Sequence, residues 1–264
     1  MKRLTKSQIV QIKRFSKNGL SLRKIRNKLN LPLSTIQYHV SKGSNRTRIK
    51  QIQLPSSDFV KGELVGAFAG DGSYYYDTNG RRRGHRITYY LSYKDDKPYT
   101  KYLSTKLKNL GLSVNSYIQK LDGNPSCIHL WINSIEYFRF IRNYLCWEKP
   151  KTYSVRLKKD IFPPKNFLFG FARGLMDTDG YVESHGIGCS STSKELIYDL
   201  KYIFEIIGIN PTIKKLKKKG NRRIQHRVRV KKSDLVKYHE EIGFSNPRKE
   251  KALLERMEKL RNLT

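Results

Sequence analysis

The spacing of apolar residues along the chain follows the same order twice, changing from helical to strand-like and back. One run of apolar and small residues ends at Asp71-Gly72, and a similar run ends at Asp179-Gly180. Each run has the composition of a buried helix. Beyond it, apolar residues alternate with polar ones, as in half-buried strands, and then return at helical spacing. The order helix, two strands, helix, two strands, helix therefore predicts a duplicated domain of the α/β (α+β) class.

The two helices that end in these acids are predicted to pack closely. Each contains small residues at the expected contact: Gly66, Gly70, Ala172 and Gly174. Small residues let helix backbones approach, which would place the carboxylates of Asp71 and Asp179 side by side. Gly72 and Gly180 follow the acids, and we expect them to adopt the positive φ that ends a helix.

The N-terminal segment predicts a separate unit of three helices. Its first helix carries an apolar stripe and ends at Asn18-Gly19, Ser21 can cap the second, and Pro32 enforces a turn before the third. The unit resembles a helix-turn-helix module whose third helix reads the major groove. A three-helix protein-interaction cap is the alternative. The candidate contact residues on the third helix are Ser34, Thr35, Gln37, Tyr38 and His39.

Two later strands predict one apolar and one polar face each. In the strand at 81–93, Ile87, Tyr89 and Leu91 alternate with polar residues, and an Asn-Gly hairpin turn is predicted at 77–80. In the strand at 223–231, a row with Ile224, His226 and two valines alternates with a cationic row. We interpret His226 as a packed core histidine. The run 214–219 predicts a basic hairpin loop.

The charge of the chain narrows the class of partner. Lys and Arg total 54 against 22 Asp and Glu, a net charge of +32, which predicts a polyanionic partner. Charge alone leaves ribosomal and membrane-surface proteins open. A run of about eighteen apolar residues is absent, so we expect an intracellular protein, in cytoplasm, nucleoid or organelle. Cys127, Cys146 and Cys189 lack CxxC spacing, which argues against zinc ligands or a disulfide set.

The two acidic motifs resemble the LAGLIDADG homing endonucleases. The second copy matches at Gly174, Leu175, Asp177, Asp179 and Gly180. The first copy keeps Leu64, Gly66, Asp71 and Gly72, with Ala69 where the family's earlier Asp stands. This departure spares the catalytic position, which in the family is the last acid of the motif. Two copies in one chain imply the monomeric type.

The resemblance implies that two antiparallel sheets form a saddle over the major groove of double-stranded DNA, at a long asymmetric target. The polar strand faces suit this role, because a β-ribbon fits the groove and Arg or Gln can contact base edges. The candidate DNA-binding residues of the sheets are Arg82, Arg86, Thr88, Tyr90, Arg223, Gln225, Arg227 and Arg229.

Adjacent carboxylates repel each other unless a cation lies between them, and Mg²⁺ prefers such oxygen ligands. The resemblance implies that Asp71 and Asp179 bind Mg²⁺, with Mn²⁺ as a substitute, and that the carbonyls of Gly70 and Thr178 join them. The predicted reaction is phosphodiester hydrolysis that breaks both strands. The family often places a lysine at the end of a repeat's last strand, which here matches Lys231 as a catalytic residue, with Lys232 as its neighbour. No lysine matches near 133–134 in the first half.

These interpretations give four segments. They are a helix-turn-helix module at 1–45, a basic linker at 46–57, a first LAGLIDADG repeat at 58–150, and a connector with a second repeat at 151–264. Two other functions stay open at this point. One is a non-catalytic DNA-binding transcription regulator, and the other is an intron RNA maturase whose partner is the host intron RNA.

Overall fold

The computed structural model describes residues 4–43, 51–77, 84–216 and 223–261. The chain divides into two compact units, Met1–Lys50 and Gln51–Thr264. Within the described ranges, every helix is too short or too polar to cross a membrane. The predicted Asn-Gly turn lies largely outside the described residues, as does the second half of the basic loop at 214–219, of which Lys214 and Lys215 are described as strand residues.

The first unit contains the three predicted helices, α1 (Lys6–Lys17), α2 (Leu22–Leu29) and α3 (Leu33–Gly43). Ile12, Ile25 and Ile36, one from each helix, are fully buried against one another. The predicted cap is present, because the Ser21 hydroxyl accepts a hydrogen bond from the backbone N–H of Lys24. Gly19 follows the end of α1 and has φ of +77°, a conformation that glycine adopts without strain.

The first half of the second unit has the predicted order of elements. They are α4 (Asp58–Asp71), β1 (Gly72–Asp77), β2 (Gly84–Ser92), α5 (Lys97–Asn109), β3 (Asn115–Leu121), β4 (Asn124–Asn133) and α6 (Ile135–Tyr144). The strands form one antiparallel sheet in the order β1-β2-β4-β3. Ile87, Tyr89 and Leu91 on β2 are buried, which confirms the core face predicted for this strand. A short hairpin of β5 (Leu145–Cys146) and β6 (Arg156–Leu157) follows.

The second half repeats this arrangement. Its elements are α7 (Lys165–Asp179), β7 (Gly180–Glu183), β8 (Gly186–Ser191), α8 (Lys194–Ile206), β9 (Thr212–Lys215), β10 (His226–Lys231), α9 (Leu235–Glu241) and a final helix α10 (Pro247–Arg261). The strand order β7-β8-β10-β9 is the counterpart of the first sheet, and all pairs are antiparallel. The duplication predicted from the sequence is therefore confirmed, and so is the fold class.

Helices α4 and α7 pack at backbone distance through glycine. A Cβ added to Gly66 would lie 2.1 Å from the carbonyl oxygen of Phe171, and one added to Gly174 would lie 2.0 Å from that of Glu63. The close approach is confirmed. Ala172 is buried, but the glycines at the contact form longer rows than predicted: Gly62, Gly66 and Gly70 on α4, with Gly170 and Gly174 on α7.

The predicted positive φ at the two helix ends is wrong. Gly72 has φ of −79° and Gly180 has φ of −77°, values that any residue can adopt. Glycine is required there by space, because a Cβ on Gly180 would lie 2.3 Å from the carbonyl oxygen of Met176 and one on Gly72 would lie 2.6 Å from that of Phe68. Where each helix passes into the following strand, the backbone therefore lies too close to the helix to allow a side chain.

The apolar row of β10 is shorter than predicted. Val228 and Val230 are fully buried, but Ile224 precedes the strand and is 36% exposed. His226 begins the strand and is only partly buried, beside Lys194 and Tyr198 of α8. The core histidine predicted at this position is thus a residue of the sheet margin, where the covering helix leaves an opening.

Candidate active site

The predicted acids meet where α4 and α7 end together. Asp71 is the last residue of α4 and Asp179 is the last residue of α7. A Cβ on Gly70 would lie 3.3 Å from Cγ of Asp179, so this carboxyl lies against the final turn of the opposite helix. Both acids are only partly buried. The glycine-mediated helix contact thereby brings two carboxyl groups together and leaves them a side that faces solvent.

The surroundings oppose the charged form of both acids. Desolvation, and then the negative charge of Asp179, raises the pKa of Asp71 to about 7. Desolvation also raises the pKa of Asp179, while Lys151 and Lys249 act in the opposite direction. A divalent cation between two such carboxylates would offset both desolvation and mutual repulsion.

Two lysines that no sequence pattern indicated donate hydrogen bonds to the terminal carbonyls of these helices. Nζ of Lys151 donates to the carbonyl oxygens of Phe68, Ala69 and Gly70, at 2.8, 2.7 and 3.0 Å. Nζ of Lys249 donates to the carbonyl oxygens of Met176 and Thr178, at 3.0 and 2.8 Å. Partial negative charge at a helix C-terminus favours such cations.

Burial perturbs both lysines. Desolvation lowers the pKa of Lys151 to about 8 and also lowers the pKa of Lys249, although nearby acids act to raise both. The carbonyls of Gly70 and Thr178, which were predicted as metal ligands, each accept one of these lysine hydrogen bonds, and their role toward a metal stays a prediction. The carboxylates of Asp71 and Asp179 supply the negative charge that a metal requires.

Asp177 fixes the segment that carries Lys249. Its Oδ1 accepts hydrogen bonds from the backbone N–H groups of Ser245 and Asn246, both at 2.9 Å, immediately before α10 begins. Desolvation raises the pKa of this buried carboxyl to about 8. In the first half Ala69 occupies the equivalent motif position, so the carboxylate cap belongs to the second half alone among the described residues of the two motifs.

Lys231 lies at the end of the second sheet away from Asp179, and its catalytic role stays a prediction. The strand register pairs Lys231 with Gly186, which also pairs with Glu183, whereas Asp179 adjoins Gly180 at the other end of β7. Three residues of strand separate the two ends by about 10 Å. Lys232 follows in a short 3₁₀ turn and is exposed. The lysines that contact the acid-bearing helix ends come from other elements. Lys151 lies in a 3₁₀ turn after the first sheet and Lys249 lies in α10, and counting strands does not locate either.

The first sheet borders Asp71 through an open groove. The groove has a volume of about 700 Å³, and its lining includes Asp71, Tyr90, Trp147 and Lys151. Of the residues predicted on β2, Tyr90 is 45% exposed, whereas Thr88 is only 8% exposed. Thr88 pairs in register with Ser73 and Trp131 on the adjacent strands and exposes little surface, so it offers less to a base than Arg86 or Tyr90, and its DNA contact stays a prediction.

The four described arginines among the predicted DNA contacts each have a specific neighbour. Arg86 lies over the ring of Trp131 at 4.5 Å, and Arg223 lies over Tyr153 at 3.8 Å. Arg227 lies over Tyr181 at 5.3 Å, and Arg229 forms an ion pair of 2.7 Å with Glu183. Gln225 is exposed, and Arg82 lies outside the described residues.

The residues predicted to contact DNA from the first unit share α3. Ser34, Gln37 and Tyr38 are exposed, Thr35 and His39 are partly buried, and the rings of Tyr38 and His39 meet edge to face at 5.0 Å. Ile36 on the opposite side of the helix is buried. The helix therefore presents polar side chains on its solvent side, and their contact with DNA stays a prediction.

A metal site made only of protein side chains is not present in the described residues, because they hold no group of three or more His, Cys, Asp or Glu. The two carboxyls nevertheless fit Mg²⁺, which binds through one or two carboxylates and completes its octahedral shell with waters and substrate phosphates. The open side of the pair leaves room for a phosphate.

Comparison with known families identifies the domain that carries the second acid. Residues 166–243 match the model of the LAGLIDADG-like domain. Over 196 residues the chain is 32% identical to the replication factor C small subunit of Methanocaldococcus jannaschii, which covers 73% of this chain and 10% of that protein. It is 26% identical over 208 residues to a DNA polymerase of Thermococcus hydrothermalis, with 74% and 12% covered. The chain thus spans about a tenth of these relatives.

Solved structures with the same fold include homing endonucleases. Mesophilic variants of the homing endonuclease I-DmoI superpose with a TM-score of 0.54 at 16% identity, over 75% of this chain and 98% of theirs. I-DmoI in complex with DNA and Ca gives 0.53 at 17% identity over 75% and 98%, and its complex with DNA and Mn gives 0.51 at 16% over 70% and 96%. The chain has the LAGLIDADG fold, as its motifs predicted.

Proposed function

We propose that this chain, which carries a LAGLIDADG-like domain on the fold of the homing endonucleases, is a site-specific DNA endonuclease. It would hydrolyse one phosphodiester bond in each strand of a long asymmetric duplex target, with Mg²⁺ as cofactor and Mn²⁺ as a substitute. The observation that carries the proposal is the pairing of Asp71 with Asp179 at adjoining helix ends, each beside a lysine. A purely DNA-binding protein has no need to keep such an unfavourable pair of charges.

The chemistry divides between the acids and the lysines. Asp71 and Asp179 would hold the divalent metal, which when bound supplies Lewis-acid stabilisation and a water of lowered pKa. Water attacks phosphorus, the bond from phosphorus to the 3′ oxygen breaks, and the products are a 5′ phosphate and a 3′ hydroxyl. Lys151 and Lys249 add fixed positive charge beside the scissile phosphates, where charge grows in the transition state.

The two halves account for a long and asymmetric target. Each half contributes a four-stranded antiparallel sheet, and the side chains of the two sheets differ, so one chain can contact two unlike half-sites as a monomer. The solved structures of I-DmoI, which contain DNA with Ca or Mn, support a duplex as the partner of this fold. The net charge of +32 supplies a strong attraction to phosphates.

The N-terminal unit is proposed as an additional DNA contact. It has its own apolar core and presents polar residues of α3 to solvent. We keep the division into a helix-turn-helix module at 1–45 and a basic linker at 46–57, which would extend the site beyond the contacts of the two repeats.

The proposal is tested with the full chain and a random pool of DNA duplexes. Duplexes retained with Ca²⁺ are amplified through successive rounds, and the recovered sequence is placed in a plasmid. We expect linear product with Mg²⁺ or Mn²⁺ and intact plasmid with a chelator. Specific binding without cutting under any of these metals would replace the nuclease with a DNA-binding regulator, and the absence of specific duplex binding would favour an RNA partner.

A further inference from the structure

The outer faces of the two sheets differ in chemistry although their strand orders correspond. The strand registers place five aromatic residues and one arginine on the first face, among smaller polar residues such as Ser73 and Asn115: Tyr75, Arg86, Tyr90, Tyr117, His129 and Trp131. The equivalent face of the second sheet carries a mainly charged set: Tyr181, Glu183, Lys214, Arg227, Arg229 and Lys231. A duplicated domain has therefore acquired two unlike surfaces at equivalent places.

The aromatic face is a continuous row of rings across three strands. His129 lies between Tyr90 and Tyr117 in the register, with ring distances of 4.7 and 4.3 Å. Gln119 holds the imidazole, since its Oε1 lies 2.7 Å from Nε2 of His129. Tyr117 is 52% exposed, so the row presents ring surface to solvent and not a closed core.

The aromatic face carries little cationic charge. Up to the irregularity between Gln119 and Lys120, Arg86 is its one Lys or Arg among the described residues, and its guanidinium lies over the ring of Trp131. Burial lowers the pKa of His129, which disfavours the charged form of this imidazole. Attraction to phosphate therefore contributes little here, whereas flat apolar surface is abundant.

The charged face holds its arginines in defined orientations. Nη2 of Arg229 lies 2.7 Å from Oε2 of Glu183, and Nε of Arg227 donates to Oγ of Ser190 at 3.3 Å while its guanidinium lies over Tyr181. A guanidinium already held on one side loses less freedom when its remaining N–H groups bind a ligand. The guanidinium groups of Arg227 and Arg229 are therefore held in orientations from which their remaining N–H groups can make paired hydrogen bonds.

We infer that the two half-sites of the target are read by different chemistry, an inference that rests on the proposed function. The row of Tyr90, His129 and Tyr117 would contact the 5-methyl groups of thymines in one half-site. Arg227 and Arg229 would bind O6 and N7 of guanines in the other. Thymine is the base that offers an apolar methyl in the major groove, and guanine is the base that offers two adjacent acceptors to one guanidinium. Tyr90 lines the same groove as Asp71, which connects the aromatic row to the cutting site.

The test uses base analogues in the duplex recovered by selection, so the protein stays unaltered. Uracil replaces thymine to remove only the methyl, and 7-deazaguanine replaces guanine to remove only the N7 acceptor, in each half-site separately. Binding is measured with Ca²⁺. Each contacted thymine methyl should contribute about fourfold in affinity, the value expected for one buried carbon. We expect uracil to weaken binding in one half-site and 7-deazaguanine to weaken it in the other.

Two matched variants assign each half-site to its sheet. Tyr117→Ser should reduce the response to uracil and keep the response to 7-deazaguanine, and Arg227→Gln should do the opposite. Equal responses in both half-sites, or a uracil response that is unchanged in Tyr117→Ser, would overturn this inference while cutting of the same duplex upholds the endonuclease. Failure to bind any duplex specifically would overturn the proposed function and this inference together.

Discussion

Nζ of Lys151 lies 3.0 Å from the carbonyl oxygen of Gly70, the residue immediately before Asp71. Lys249 makes the same contact at 2.8 Å with Thr178, immediately before Asp179. The two lysines come from unlike elements, a 3₁₀ turn at Lys151–Tyr153 and helix α10. Two different segments thus make the same contact, in which an ammonium group stabilises a helix end and brings positive charge beside an acid.

Replacing either lysine should slow cleavage more than it weakens binding. We expect Lys151→Met and Lys249→Met each to lower the cleavage rate by about 100-fold, because the fixed charge next to the scissile phosphate is lost. Single-turnover cleavage at saturating enzyme separates this effect from affinity. Lys251→Met serves as the control, because Lys251 lies on the same helix as Lys249 with an exposed side chain that pairs with Glu255 at the surface. Similar losses in all three variants would remove the assigned role.

The sequence locates the acids but not these lysines, and the reason is physical. Each acid ends an apolar run with glycines, a pattern that records a helix contact and repeats after 108 residues, the difference between 179 and 71. The lysines are 98 residues apart, from 249 less 151, because each reaches its carbonyls from a connection of its own geometry. Proline shortly before each lysine, Pro150 and Pro247, is the one shared local signal.

The glycine rows predict an unusually sensitive helix contact. Gly66→Ala or Gly174→Ala should lower the free energy of unfolding by about 3 kcal/mol, since a new Cβ at either site would overlap a backbone carbonyl of the opposite helix. Denaturant unfolding measures the loss. Thr105→Ala, on the exposed side of α5, is the control, for which we expect a change within about 0.5 kcal/mol. A tolerated alanine at both glycines would contradict the backbone contact.

Asp199 predicts a pH-dependent term in stability. Its Oδ2 accepts a hydrogen bond of 2.7 Å from the backbone N–H of Leu157, and desolvation raises its pKa to about 6 from 3.8. The folded protein thus binds this proton more tightly than the unfolded chain, so the contribution is full below pH 3.8 and is lost as the pH rises through 6.

The variant Asp199→Asn keeps an acceptor and removes the titration. Relative to it, the wild type should lose about 2 kcal/mol of stability between pH 4 and 7, less than the roughly 3 kcal/mol of two pKa units because the side chain is not fully buried. Urea unfolding at a series of pH values measures the difference. Asp160→Asn, at an exposed carboxyl, controls for the change of net charge. A difference that is constant across this range would contradict the raised pKa.

Removal of residues 1–50 should leave a folded nuclease. The N-terminal unit buries Ile12, Ile25 and Ile36 within itself, and the chain divides between Lys50 and Gln51. We expect the remaining chain to cut its target with weaker affinity and a shorter footprint, because contacts from α3 are lost. Hydroxyl-radical footprinting of both proteins decides the point. An unchanged footprint would mean that the module does not touch DNA, and an unfolded remainder would mean that the division is wrong.

The acid pair gives the most direct test of the chemistry. Asp71→Asn and Asp179→Asn should each abolish double-strand cleavage while specific binding persists, because Asn keeps the size of the side chain and removes the charge that holds the metal.

Burial raises the pKa of both acids, so the charges are unfavourable without metal. Each variant should therefore be at least as stable as the wild type in a chelator. With Mg²⁺ the melting temperature of the wild type should rise, since binding to the folded state alone stabilises it, and that of the variants should not. Asp122→Asn, in the exposed turn between β3 and β4, is the control and should cut and respond to Mg²⁺ as the wild type does. Normal cutting by both variants at the acid pair, or a metal-induced shift that persists in them, would show that the metal is held elsewhere.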